Sequence, residues 1–417
     1  MSGYSSAEQA IGGILDRFPR LKAVAETVYQ RASYHVLADT TFEYELHDQV
    51  TMQSVASWAG VDDHSEQFVG FYDVSPWNES MSKYFVHEVD EDESAIRVYG
   101  EDEVETVAKT AAWNYQQGSR TQWHPTRNET LVFNEIAERT AVAKLVDTTG
   151  DIRETYDRPV QAVSPTGEEF ASVSYRRLDR NSPGYGYGLD DGSSLPDPTT
   201  DGLFRVDFET PDEAELVVPF SELIADAETT VSQDAHYIHH LLYSPSGDRV
   251  VFLHRWIVDG KRHTQLCYVD ERDEWRVVLE NPYLSHFCWL DDEHLFLWGG
   301  SDKFGRGYHV VDVTSGELSY IDALSGFGDG HPSVSPDGQW IVTDSYPDRV
   351  RKRSLTLYNL DTEEVVSLAE FFAPFGYDGQ QRCDLHPRWS PDGRFVSVDS
   401  AHEGVRRSYL LDVRDIT

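Results

Sequence analysis

Three cysteines in 417 residues are too few for a disulfide framework and fit a reducing interior. No run of 18 apolar residues occurs, which excludes a membrane-spanning helix. The first residues, MSGYSSAEQAIGGILDRFPRLKAVAE, lack a basic stretch followed by an apolar one. They read as an amphipathic helix, not a secretory leader, and the expected compartment is the cytoplasm. There is no G-x-x-x-x-G-K-[ST] and no G-x-S-x-G, so phosphate-loop and α/β-hydrolase chemistry have no support. Lysine is scarce, with seven residues, and most of the bases are arginine.

Acid is abundant. Asp and Glu number 73 against 35 Lys and Arg, a net charge of −38, and stretches such as EVDEDESAIRVYGEDEVE spread it along the chain. Such a surface repels nucleic acid. The scatter reads as halophilic adaptation, in which salt screens self-repulsion, and not as a cation-binding cluster. Hydrophobic residues at 39% and aromatics at 12% supply a real core.

One turn motif recurs. It appears at Val74-Ser75-Pro76-Trp77, Trp123-His124-Pro125-Thr126, Val163-Ser164-Pro165-Thr166-Gly167 and Tyr243-Ser244-Pro245-Ser246-Gly247-Asp248. It returns at Trp289-Leu290-Asp291-Asp292, Val334-Ser335-Pro336-Asp337-Gly338 and Trp389-Ser390-Pro391-Asp392-Gly393. A β-rich run follows each, for example QWIVTDS and RFVSVDS. Spacings of about 40 to 55 residues match a four-stranded blade, with one longer gap around RNSPGYGYGLDDGSSLPDPTTDG. The pattern predicts an all-β chain, a seven-bladed β-propeller over residues 36–417 with a helical extension over 1–35. The last blade is expected to borrow an N-terminal strand near Thr41–Tyr44 or Gln67–Tyr72, which hides both sheet edges.

The run Trp113-Asn114-Tyr115-Gln116-Gln117-Gly118 resembles the W-N-x-Q-Q-G signature of the oligogalacturonate lyase and ulvan lyase group of seven-bladed polysaccharide lyases. His331-Pro332 and Gln381-Arg382-Cys383-Asp384-Leu385-His386-Pro387 are also similar to that group. The resemblance implies β-elimination on short, acidic, uronate-containing oligosaccharides. A base removes the C5 proton, the C4 oxygen leaves, and the uronate carboxylate must be neutralised. The rival reading is a propeller that binds glycan or protein on its loop face without catalysis; an epimerase or hydrolase on the same scaffold is weaker.

Four groups of residues are candidates. His286, His331, Cys383 and His386 precede the turns of three successive blades, so they converge near the axis. Imidazoles with a thiolate suit a divalent ion, zinc ahead of manganese, in a structural role. The group carries Gln at Cys383 and a further His at Arg388. Resemblance to the ulvan lyases makes Tyr187 a base or acid and Arg205 the carboxylate partner, with Tyr185 as rival in the same Tyr-Gly loop. Asn114, Gln116, Arg120 and Asn134 are expected to line the substrate. In His236-Tyr237-Ile238-His239-His240, neighbours on a strand point opposite ways, so at most one of His239 and His240 is expected to line the channel; similarity to the HH-L-x-Y-S-P-S-G segments of the group implies His240, as base or carboxylate partner. The oligomeric state is not legible.

Overall fold

The computed structural model describes residues 29–34, 36, 41–61, 63–90, 93–301 and 303–417. Seven antiparallel sheets follow one another around a ring. Blade 1 begins at Gln67–Phe68, blade 2 at Gln122–Trp123, blade 3 at Ala162–Val163 and blade 4 at His236–Tyr243. Blades 5, 6 and 7 begin at Phe287–Trp289, Ser333–Val334 and Arg388–Trp389. These first strands are the innermost, and each leads into the recurring turn and the second strand.

The turn has a physical cause. In blade 6, Ser335 Oγ donates to Asp337 Oδ1 at 2.5 Å and accepts from Trp340 N at 2.9 Å. Gly338 N donates to Ser335 O at 2.9 Å with φ at +74°, the left-handed region that favours glycine. Ser390, Asp392 and Gly393 repeat the arrangement in blade 7. Proline occupies the position that needs no N–H.

Burial falls from axis to rim. Trp340–Asp344 is buried throughout, whereas Glu103–Thr110, the outermost strand of blade 1, is largely exposed. Apolar side chains pack between neighbouring blades: Val342, Leu355 and Leu357 of blade 6 share a cluster with Val396 and Val398 of blade 7. Blade 3 is interrupted after Glu169–Ser172 by a helix, Tyr175–Asn181, and a long loop before Gly202–Asp207.

Ring closure is as expected in kind, but the strand is different. Thr51–Ser54 pairs with Arg407–Asp412 and completes blade 7. Tyr44–Leu46 instead adds a fifth strand to blade 6, and Gln67–Phe68 opens blade 1. The reason is reach: the chain crosses two blade rims before it turns inward. Helix is present at residues 29–34, and the rest of the expected N-terminal helix lies outside the described residues. Among the described residues no helix is long and apolar enough to cross a membrane.

A second closure sits at the axis. Asp399, at the end of the second strand of blade 7, accepts from Val69 N at 3.1 Å and Gly70 N at 3.4 Å. It also pairs with Arg388 at 3.0 Å. Arg388 in turn donates to the carbonyls of Gly70 and Phe71. Both side chains are buried. Removing one partner of a buried pair strands the other charge. Asp399→Ala is expected to destabilise the fold by about 3–5 kcal/mol, read as the shift in urea midpoint. A loss below about 1 kcal/mol would show that the latch is dispensable.

Candidate active site

The segment Val69–Asp73, tied down by that latch, crosses the centre of the ring. Tyr72 reaches the far side, where its hydroxyl donates to Phe287 O at 2.9 Å and accepts from Phe287 N at 3.0 Å. Phe71 lies under four imidazoles, with ring centres 4.9 Å from His240, 5.1 Å from His386 and 6.2 Å from both His286 and His331. The four belong to blades 4, 5, 6 and 7. Successive ring centres are 4.9, 4.2 and 4.3 Å apart in the order His240, His286, His331, His386. Residues up to 146 positions apart thus form one arc.

Each imidazole is held by Nδ1. His240 Nδ1 lies 3.3 Å from Ser285 O, His286 Nδ1 2.9 Å from Asp329, His331 Nδ1 2.8 Å from Asp344, and His386 Nδ1 2.7 Å from Gly70 O. The Nε2 atoms of His240, His331 and His386 are buried and have no hydrogen-bond partner among the described residues. A carboxylate or carbonyl on Nδ1 with a free Nε2 is how ligating histidines are oriented. His240 and His386 also hold positive φ, at +48° and +44°. A β-bulge between His239 and Leu242 turns the strand there, so His239 and His240 both stay at the site.

Among the described residues, one group brings three possible ligand atoms within 4.8 Å of one another: His331, Asp384 and His386. Its two orphaned imidazole nitrogens and one carboxylate fit a divalent ion. Cys383 and His286 lie outside that group. A carboxylate therefore stands where the expected set had a thiolate, and burial pushes the Cys383 thiol up to about 11, which keeps it protonated. Asp384 pairs with Arg382 at 2.6 Å and Arg353 at 2.8 Å. Burial alone would raise its pKa, but the two guanidinium groups outweigh burial and hold the carboxyl well below the usual range. Burial holds His240 and His386 neutral, with pKa values well below the ordinary imidazole value. Arg388, where the resemblance implies a further histidine, is consumed by the latch.

The Tyr-Gly loop splits its two tyrosines. Tyr185 is half-buried, meets His239 edge-on at 4.4 Å and accepts from Arg382 Nη2 at 3.0 Å. Tyr187 points away: it stacks on Tyr175 at 4.3 Å and accepts from Asn134 Nδ2 at 3.0 Å. Burial pushes its phenol up to about 12, opposite to the lowering that base work requires. Asn134 is spent on the Val160 backbone, donating at 2.9 Å and accepting at 2.7 Å. Arg120 is spent on Asp73, with contacts of 2.9 and 3.0 Å, and on Gln161 O. Arg205 pairs with Glu169 at 3.3 Å and with Asp273, between blades 3 and 4 and towards their turn ends.

The W-N-x-Q-Q-G loop supports the site from behind. Asn114 Oδ1 accepts from Gln116 N and Gln117 N, and Gln116 Nε2 donates to Arg382 O at 3.2 Å. Gly118 has φ at +58°, and a Cβ there would sit 2.3 Å from the His87 ring. Asp329, Asp344, Arg382, Arg255 and the Phe71–Tyr72 floor were missed from sequence. One signal was available: QWIVTDS and RFVSVDS end their strands in the same Asp-Ser, and both aspartates, Asp344 and Asp399, hold the hub.

Other histidines are buried in the blades without charge. Burial lowers His87, His124, His236 and His402 to about 4 and His254 to about 3. The unfolded chain binds these protons near pH ~6.5. Between that value and about 4 the unfolded state holds more protons, so acid favours unfolding. The melting temperature at constant salt is expected to be level above pH 7 and to fall steadily from pH 6.5 to 4.5. A level melting temperature across that window would contradict neutral burial.

No family model matches the chain, and no curated protein does. Solved structures do. An oligogalacturonate lyase from Vibrio parahaemolyticus superposes with a TM-score of 0.63 at 14% identity, covering 89% of this chain and 96% of that one. An oligogalacturonate lyase in complex with manganese gives the same values. The chain thus shares the seven-bladed fold of the oligogalacturonate lyases over nearly their whole length.

Proposed function

We propose that the chain is a divalent-metal-dependent lyase acting on short uronate-containing oligosaccharides at the histidine arc. The observation that carries this is the set of buried, orphaned Nε2 atoms on His240, His331 and His386, each imidazole locked through Nδ1. Buried polar atoms without partners are costly, so they point to a missing ligand. His331, Asp384 and His386 would hold the ion, which supplies positive charge against the uronate carboxylate and so acidifies C5–H. Two imidazoles and a carboxylate, without thiolate, accommodate manganese as well as zinc. Three protein ligands leave positions open, which favours a working ion over a purely structural one. The manganese-bound lyase of the same fold supports this reading.

In this reading His240, neutral at Nε2, takes the C5 proton. The electron pair of the C5–H bond forms the C4–C5 double bond as the C4–O bond breaks. Tyr185, whose hydroxyl is already hydrogen-bonded to Arg382, returns a proton to the leaving oxygen. Arg382, Gln116 and the Asn114 turn hold that tyrosine's surroundings in place. Tyr187 and Arg205 have no part, because their polar atoms face other partners.

The test is absorbance near 235 nm on galacturonate, glucuronate, guluronate and mannuronate oligosaccharides, with added manganese or zinc, in high salt. A rise on one class is expected. His240→Gln should lower kcat by about a hundredfold or more while the metal content is retained. His331→Ala should lose both metal and turnover. No rise on any class with either ion would leave a glycan- or protein-binding propeller instead.

A further inference from the structure

The insert of blade 3 helps to enclose a second cavity. It holds about 590 Å³ between blades 2 and 3, a size that suits a small metabolite. None of the four arc histidines lines it. Its walls are largely apolar, with Pro159, Val173, Val206 and Pro211 from the blades and Leu189 and Pro196 from the insert. Ion pairs clamp the insert in place. The helix Tyr175–Asn181 sends Arg176 to Asp191 at 2.8 Å, Arg177 to Asp201 at 2.8 Å and Arg180 to Asp190 and Asp234. Arg139, from a turn of blade 2, reaches Asp191 at 3.5 Å. The cavity is therefore preformed, and a ligand does not have to order its walls.

Arg158 lies in the segment that leaves Ile152–Tyr156, the outermost strand of blade 2, and it lines the cavity. Its guanidinium is stacked over the Phe204 ring, 3.2 Å from the centre. Among the described residues it makes no side-chain hydrogen bond and has no carboxylate within ion-pair distance, although acids outnumber bases 73 to 35. Burial pushes its pKa down, and the more distant Asp201 pulls it up. Asp201 itself is taken by Arg177 Nε and Gly202 N. Arg176, also in the lining, has a buried Nε without a partner. The other two acids of the lining, Asp157 and Asp212, are exposed, and their side chains enter no ion pair or hydrogen bond among the described residues.

We propose that this cavity binds a small organic monocarboxylate that carries hydrogen-bond donors, hydroxyls or an ammonium group, at its other end. A guanidinium with one face covered by an aromatic ring still offers its N–H edge, and a carboxylate takes that edge through two parallel bonds. Phe204 holds the group flat before the ligand arrives. The apolar walls keep water away and strengthen the charged bond. Asp157 and Asp212 accept from the donors of the ligand and repel a second negative charge, which selects one carboxylate over a di-acid or a phosphate. The site stands apart from the lyase reading of the arc and needs no metal.

Calorimetric titration at one fixed salt concentration compares lactate and gluconate with serine and proline. Glucose, malate and inorganic phosphate are the neutral and doubly charged references. One hydroxy acid or one amino acid is expected to bind one-to-one, and about tenfold or more tighter than each reference, in line with a charged hydrogen-bonded pair. A hydroxy acid as the tightest probe identifies a sugar-acid type of ligand, and an amino acid a zwitterion. Arg158→Gln should weaken that binding by about tenfold to a hundredfold. Ala214→Trp, at the exposed start of the fourth strand of blade 3, should block the cavity with Arg158 still in place. It reports alone if Arg158→Gln does not fold. Asp157→Asn combined with Asp212→Asn should bring malate closer in affinity to the monocarboxylate. Binding that persists undiminished in Arg158→Gln or in Ala214→Trp overturns the site, and so does the absence of binding by every hydroxy acid and amino acid tried. Malate or phosphate binding as tightly as the best monocarboxylate overturns the selection for a single charge.

Discussion

The Arg388–Asp399 pair lies under everything else at the axis. It does not merely join the last blade to the first. By taking the backbone of Val69, Gly70 and Phe71 it pulls a segment of blade 1 across the middle of the ring. Phe71 then becomes the floor against which four histidines pack, and Tyr72 a strut to blade 5. A propeller channel is otherwise open, and side chains projecting into water would be free to rotate. Here the floor removes water from one side, which both fixes the imidazoles and keeps them neutral.

Neutral imidazoles in this setting are useful because of what surrounds them. Acids and guanidinium groups are buried close by, but they are paired with one another or with Nδ1 atoms. The carboxylates of Asp329 and Asp344 orient histidines; that of Asp384 is shared between two arginines and the metal-capable group. The charges thus set directions and leave the Nε2 atoms as bare acceptors. A site of this kind is preorganised: little would have to move to take the cation and acidic sugar proposed for it. The asymmetry is around the arc. Blades 6 and 7 offer donors to an ion, whereas blade 4 offers an arginine without an acid.

The resembled signature acquires a physical meaning that differs from direct substrate contact. Gln116 is fully buried and its amide holds the Arg382 carbonyl, while Gly118 is a glycine because the His87 ring occupies the space of a side chain. The motif therefore braces the loop that carries Arg382, Asp384 and His386. Arg120, next to it, serves the frame through Asp73. Residues that look like ligands in a linear motif are here the supports of residues that do face the site.

The architecture was legible from the residues alone. A turn of Ser-Pro-Asp-Gly has a local conformation, fixed by a serine hydroxyl, an aspartate and a left-handed glycine within five residues, and its repetition counts the blades. The convergence of His286, His331 and His386 was legible for the same reason, since equivalent positions in blades must meet at the axis. Direction and partnership were not legible, because they are settled between segments remote in the chain. Whether Tyr185 or Tyr187 faces the arc depends on how a long loop folds back on Tyr175 and Asn134. Whether Cys383 or Asp384 approaches His331 depends on one irregular stretch with no strand period to read. Arg205 found acids at Glu169 and Asp273, whereas Arg255 found His239 and the Leu284 carbonyl, and only the packing of blades 3, 4 and 5 against each other decided those partners.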